Sequence, residues 1–166
     1  MHRSTAHGTP QIADDAFVSE MAYVVGDVEI GERASLWPFV CLRGDGGQTV
    51  VGDETNVQEF STIHCATLGD EVTVGHGAIV DDCTVEDHSL IGMGSAVMND
   101  AVVESNCIVA ANAVVPRGET IPEGHLAYGI PAETRPLSEG QRESIGWTHE
   151  TYVELGRQHA AARGDR

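Results

Sequence analysis

The chain contains no lysine. Its nine cationic side chains are all arginines, set against 26 aspartates and glutamates, for a formal net charge of −17 over 166 residues. A surface so poor in positive charge cannot neutralise phosphates or acidic headgroups, which argues against nucleic-acid binding and against attachment to an anionic membrane. Long apolar runs are also missing, and none approaches the roughly 20 residues that span a bilayer. The opening Met1-His2-Arg3-Ser4-Thr5-Ala6-His7 has no apolar stretch of the kind a signal peptide needs, so a cytoplasmic location is expected. Cysteine is scarce, at positions 41, 65, 83 and 107, with no CxxC pair. That spacing offers neither a metal knuckle nor a disulfide framework, and buried free thiols are expected instead. The length fits one domain.

The acidic residues run along the whole chain rather than forming a tail. Dispersed acidity without lysine matches the surface of a protein from a salt-accumulating halophile, where molar salt screens self-repulsion.

What the sequence does have is a repeat. Aliphatic residues return every six positions at Ile12, Val18, Val24, Ile30, Leu36 and Leu42, break at Gly44 to Thr49, and resume at Val51, Val57 and Ile63. Two five-residue steps then lead into Leu68, Val74, Val80 and into Val85, Ile91, Val97, and the series closes with Val103, Val109, Val115 and Ile121. All nineteen positions hold Ile, Leu or Val, which neither a 3.6-residue helix period nor strand alternation produces. A strict period of six predicts a parallel β-helix, one short strand and one corner per hexad, three hexads to a triangular coil. Residues 11–132 have room for six to seven coils; residues 1–10 are expected as a flexible tail. Pro131 and Pro136 end the repeat, and 133–166 are expected to form a C-terminal helix and tail. Ser138 is the expected N-cap, with Ile145, Tyr152, Val153, Leu155 and Trp147 on the apolar side.

Stacking converts sequence period into neighbourhood. The position after each inward aliphatic faces outward, so Arg43, His64, Asp81 and Met98 form one column on the third face. Rungs lie about 4.8 Å apart, which makes His64 and Asp81 direct neighbours. The matching column on the second face is Trp37, Gln58, Gly75 and Gly92, with His76 one residue further toward the corner. One subunit cannot easily join His76 to His64 and Asp81, whereas a three-fold assembly packing third face on second face can. Two imidazoles and a carboxylate would then form a metal site with open positions.

The segments Leu42-Arg43-Gly44-Asp45, Asn56-Val57-Gln58, Ile63-His64, Val74-Gly75-His76-Gly77-Ala78, Cys83-Thr84-Val85, Ile91-Gly92-Met93-Gly94 and Gly129-Ile130-Pro131-Ala132 resemble the γ-class carbonic anhydrases. The likeness covers nearly the whole chain, including Tyr152 to Leu155. It implies an all-β, left-handed β-helix with a C-terminal α-helix, a homotrimer, and a metal at each subunit interface held by histidines from two subunits. The implied activity is reversible hydration of CO2 to bicarbonate by a metal-bound hydroxide. His64 and His76 match two of the three ligands. The third falls on Asp81, because the family's His-Gly-Cys is here Asp81-Asp82-Cys83. Zn2+ is the implied metal, and two histidines with one carboxylate also suit Fe2+. An anionic ligand should raise the pKa of bound water, making the hydroxide scarcer at neutral pH.

The resemblance further assigns Gln58 to orienting the hydroxide or bicarbonate, Arg43 and Asp45 to an ion pair that lines the site and locks the trimer, and Asn56 and Tyr128 to the substrate's polar surroundings. Arg43 and Asp45 read equally well as a purely structural interface pair. The long acidic loop that carries proton-shuttling glutamates in well-known members has no counterpart after Asp45. His2, His7, His88, His125, His149 and His159 are expected as surface histidines. Two other functions fit the same fold. One is a trimeric scaffold or metal-binding protein without hydratase activity, which the Asp81 change favours. The other is hexapeptide-type acyl transfer, which the absence of lysine for coenzyme A phosphates disfavours.

Overall fold

The hexads dictate the architecture directly. A computed structural model describes residues 1–163, and in it nearly every hexad yields a two- or three-residue strand followed by a turn. The strands stack in parallel into a left-handed β-helix of about seven turns, with a single helix at the C-terminal end. Register follows the aliphatic series: Leu42 pairs with Ile63, Ile63 with Val80, Val80 with Val97 and Val97 with Val115 on the third face. The second face runs from Val18 through Leu36, Val57, Val74, Ile91 and Val109 to Ala127. Of the nineteen repeat positions, all but Ile12 at the open end are at most 5% exposed, so the hexad phase identifies the core. Burying a Leu or Ile side chain of this size contributes roughly 1.5–3 kcal/mol.

The corners are as regular as the strands. Arg33, Glu54, Glu71, His88 and Asn106 form one column with φ between +53° and +59°. A left-handed conformation costs a side-chain-bearing residue about 1–2 kcal/mol. A ladder of hydrogen bonds offsets this, since the amides of Glu54, Glu71, His88 and Asn106 donate to carbonyls of Glu32, Asp53, Asp70 and Asp87 one coil below. The carboxylates of Asp53, Asp70 and Asp87 in turn accept from the amides of Glu32, Asp53 and Asp70 at 2.7–2.9 Å. Part of the acid surplus thus caps corners.

Where the repeat breaks, strands Tyr23–Ile30 and Cys41–Val51 run on around a corner as an extended pair. Gly44 is required there, because a Cβ would lie 1.9 Å from the Asp27 carbonyl oxygen. The chain start, expected as a tail, instead lays His2–Arg3 along Val24–Val25 as an edge strand. At the far end Glu133–Pro136 pairs antiparallel with His125–Tyr128, which covers the edge of the last coil.

Helix α1 spans Glu139–Arg163 and lies along the second face. Its start is a capping box: the Gln141 amide donates to Ser138 Oγ, and the Ser138 amide to Gln141 Oε1. The inward stripe is Ile145, His149, Tyr152 and Gly156, spaced at i, i+4, i+7 and i+11, with Tyr152 half-buried and the others buried. Trp147, expected on the apolar side, is 71% exposed because it points away from that stripe. Among the described residues no helix is long and apolar enough to cross a membrane.

Candidate functional site

On the third face the column builds as its spacing requires. His64 ends strand Thr62–His64, Asp81 ends strand Ile79–Asp81, and the two are register partners, with Arg43 paired to His64 on the other side. His64 Nδ1 lies 2.8 Å from Asp81 Oδ1. A carboxylate only accepts, so Nδ1 carries the proton and donates, and in the neutral ring Nε2 keeps its lone pair. On the Nε2 side the nearest carboxylate oxygen is Asp45 Oδ1 at 3.9 Å. Arg43 grips Asp45 in a fork, Nε to Oδ1 at 3.1 Å and Nη2 to Oδ2 at 3.2 Å. That hydrogen bond holds the Asp45 carboxyl below its ordinary range, so it stays ionised at neutral pH. Asp81 Oδ1 lies beside Nδ1, on the far edge of the ring from Nε2.

All four cysteines are free, with Cys83 and Cys107 buried and Cys41 and Cys65 half-buried. Burial pushes the Cys83 thiol up to about 12 and raises that of Cys65 beside His64, so neither thiol is a ready nucleophile.

The remaining residues lie elsewhere. Asn56 and Gln58 are buried on the second face, where Gln58 Nε2 donates to Asn56 Oδ1 at 3.2 Å and Asn56 Nδ2 to Thr73 Oγ1 at 2.8 Å. Gln58 borders a cavity of about 320 Å3 shared with Met93, Thr148 and Tyr152. Tyr128 belongs to the same outward column as Gln58 but four rungs away, about 19 Å at the usual strand spacing. Its hydroxyl donates to Glu133 Oε2 at 3.4 Å. His76 sits at the corner after the second face, 2.8 Å from Glu59 Oε2, a buried oxygen that lacks an aligned hydrogen bond. An exposed apolar patch surrounds that corner: Phe39 and Phe60 stack at 5.1 Å, Phe60 being 66% exposed, with Ile79 and Met93 nearby. Within one chain, then, Arg43, Asp45, His64 and Asp81 form one group, Asn56, Gln58 and Thr73 a second, and His76 stands apart from both.

Among the described residues, the one set of three donor atoms within 4.8 Å of each other is Glu54, Glu71 and His149. Sequence reasoning missed it. His149, expected at the surface, is only 8% exposed, because it projects from the buried stripe of α1 against the corner column. His159 is at the surface, as expected, with its ring also packed on those of Phe17 and Trp37. The available signal was the 17-residue step from Glu54 to Glu71 to His88, the same step that links His64 to Asp81.

The coil architecture and the aliphatic hexads that fill its core define a hexapeptide-repeat β-helix protein. Residues 82–117 match the family model described as bacterial transferase hexapeptide (six repeats). The chain is 37% identical to a carbonic anhydrase of Geobacillus kaustophilus, covering 95% of this chain and 90% of that one. It is 36% identical to the mitochondrial gamma carbonic anhydrase 2 of Arabidopsis thaliana, over 92% of this chain but only 59% of that protein's length. The crystal structure of a hexapeptide transferase family protein from Anaplasma phagocytophilum superposes with a TM-score of 0.92 at 33% identity, covering 95% and 97% of the two chains. The chain belongs to the γ-class carbonic anhydrase family of left-handed β-helix proteins.

Proposed function

We propose that the protein is a homotrimer that hydrates CO2 reversibly to bicarbonate at a divalent metal, zinc in the first instance, held between subunits. The observation that carries this reading is the His64–Asp81 pair. A carboxylate on Nδ1 fixes the tautomer and aims the Nε2 lone pair outward, the usual preparation of a metal-ligating imidazole. His76 is the matching ligand from the neighbouring subunit, and the buried, unaligned Glu59 oxygen beside it fits a corner whose surroundings one chain leaves incomplete. The apolar patch of Phe39, Phe60, Ile79 and Met93 fits the contact that brings that corner onto the third face of its neighbour.

A bound divalent ion supplies the Lewis acidity that lowers the pKa of water toward neutrality. Asp81 orients His64, the role we give it in place of direct ligation. Asp45, kept ionised by Arg43, is the proton acceptor facing the Nε2 side. Gln58, held by Asn56 and through it by Thr73, orients the substrate, and Tyr128 contributes a polar boundary. We read the dispersed acidity as adaptation to molar salt.

The name of the Anaplasma neighbour supports acyl transfer as the second reading. The test is zinc content and CO2 hydration by stopped flow for the wild type and His64→Ala, with acetyl-coenzyme A consumption measured in parallel. Loss of one zinc per chain together with hydration in the variant supports the proposal. A wild type without hydration at any zinc load overturns it, in favour of acyl transfer if the thioester is consumed and of a scaffold if it is not.

A further inference from the structure

At the junction between α1 and the solenoid, two carboxylates and two imidazoles from separate stretches of chain meet. Glu54 and Glu71 are successive members of the left-handed corner column, His88 is the next, and His149 comes from the helix. His149 Nε2 lies 3.2 Å from Glu54 Oε2 and 3.5 Å from Glu71 Oε2, and His88 Nδ1 lies 3.0 Å from Glu71 Oε2. Arg33 pairs with the other Glu54 oxygen, Oε1, at 2.7 Å through Nε, which leaves Oε2 available.

From this arrangement we infer a second metal site, in which Glu54, Glu71 and His149 bind one divalent first-row ion of the zinc type and fasten the helix to the corner. Three features carry it. The contacts of 3.2 and 3.5 Å are longer than the 2.7–2.9 Å of a charge-assisted hydrogen bond. They bracket the separation of donor atoms around a tetrahedral ion with bonds near 2.0–2.1 Å, about 3.3–3.4 Å. Second, His149 is more than nine-tenths buried, points into the cluster, and its Nδ1 has no hydrogen-bond partner. Nε2 faces two carboxylate oxygens at once, and a divalent cation between them would take one nitrogen and two oxygens as its donors. Third, a cavity of about 420 Å3 bordered by Glu71, His88, Asn106 and Arg142 gives an ion a route in and leaves a coordination position for water. His88, on the same Glu71 oxygen, serves as the outer partner that orients the carboxylate.

The test uses the full chain carrying His64→Ala and His76→Ala, so that the proposed subunit-interface metal is removed and the two ideas fail separately. Chelator-stripped trimer is titrated with Zn2+ in molar KCl, which suppresses diffuse cation binding to so acidic a chain. The expected result is one ion per chain and a thermal midpoint that rises with zinc concentration. Adding His149→Gln, or separately Glu71→Gln, should weaken binding at least tenfold and remove the rise, with circular dichroism and trimer mass unchanged. Absence of stoichiometric binding in the parent, or binding in both added variants as tight as in the parent, overturns the inference.

Discussion

Replacing Asp81 by asparagine probes the role of the His64–Asp81 pair. The amide is nearly isosteric, so the 2.8 Å contact with His64 Nδ1 survives, but its NH2 end can now donate to Nδ1. Either the amide oxygen accepts a weaker, neutral hydrogen bond from Nδ1–H, or the NH2 end donates and shifts the ring proton to Nε2, and both weaken His64 as a ligand. Losing an outer carboxylate partner of this kind costs about 10–100-fold in metal affinity. Each tenfold step is about 1.4 kcal/mol, so the expected loss is about 1.4–2.8 kcal/mol. The assay is competition of the metal-stripped protein with a chromophoric zinc chelator, in the His149→Gln background so that one class of site is read. Hydration should fall with zinc occupancy and recover when zinc is raised. An affinity within twofold of the parent would refute the orienting role. A loss beyond a thousandfold would show Asp81 to be a ligand in its own right.

Further outcomes follow from other parts of the molecule. Asp81→His, which restores an imidazole at the third position, should tighten zinc binding and increase hydration near neutral pH, both measurable in the same titration. Ile91→Ala, in the fully buried column between Val74 and Val109, should cost about 2–5 kcal/mol in urea unfolding while leaving zinc stoichiometry intact. The Asp45 carboxyl is depressed by Arg43, so the pair stabilises the fold above the ordinary carboxylate range and that contribution disappears as pH falls through the folded value. The stability gap between wild type and Arg43→Gln should therefore shrink as unfolding is repeated from pH 6 down to pH 3, staying small throughout because the pair is partly exposed. Raising KCl from 0.1 M to 2 M should raise the thermal midpoint, since screening relieves self-repulsion at a net charge of −17, and a flat or falling midpoint would count against the salt-adapted reading.

The β-helix was legible because its signal is redundant: nineteen aliphatic positions at one period leave few alternatives, and the same period placed His64 opposite Asp81. Three things were not. The edge strand at His2–Arg3 has too short a pattern to register against the rest of the chain. Trp147 is hydrophobic, but its angular position relative to Ile145 and His149 turns it outward. Most consequential, the 17-residue step aligns corners as well as faces, stacking Glu54, Glu71 and His88, while the helix histidine that meets them is placed by docking and not by any period. Which face of α1 docks, and at what height, depends on close approaches such as Gly156 against Ser35, which no periodicity encodes.

The central claim, a metal shared between His64 of one subunit and His76 of the next, is tested most directly by mixing subunits. His64→Ala and His76→Ala trimers are each expected to be inactive in CO2 hydration. Unfolded together and refolded, they should regain about a quarter of the wild-type activity, because random assortment into closed three-fold rings rebuilds one intact interface in each mixed trimer. Mixed trimers verified by mass that stay inactive, or single variants that keep full activity, would contradict the account.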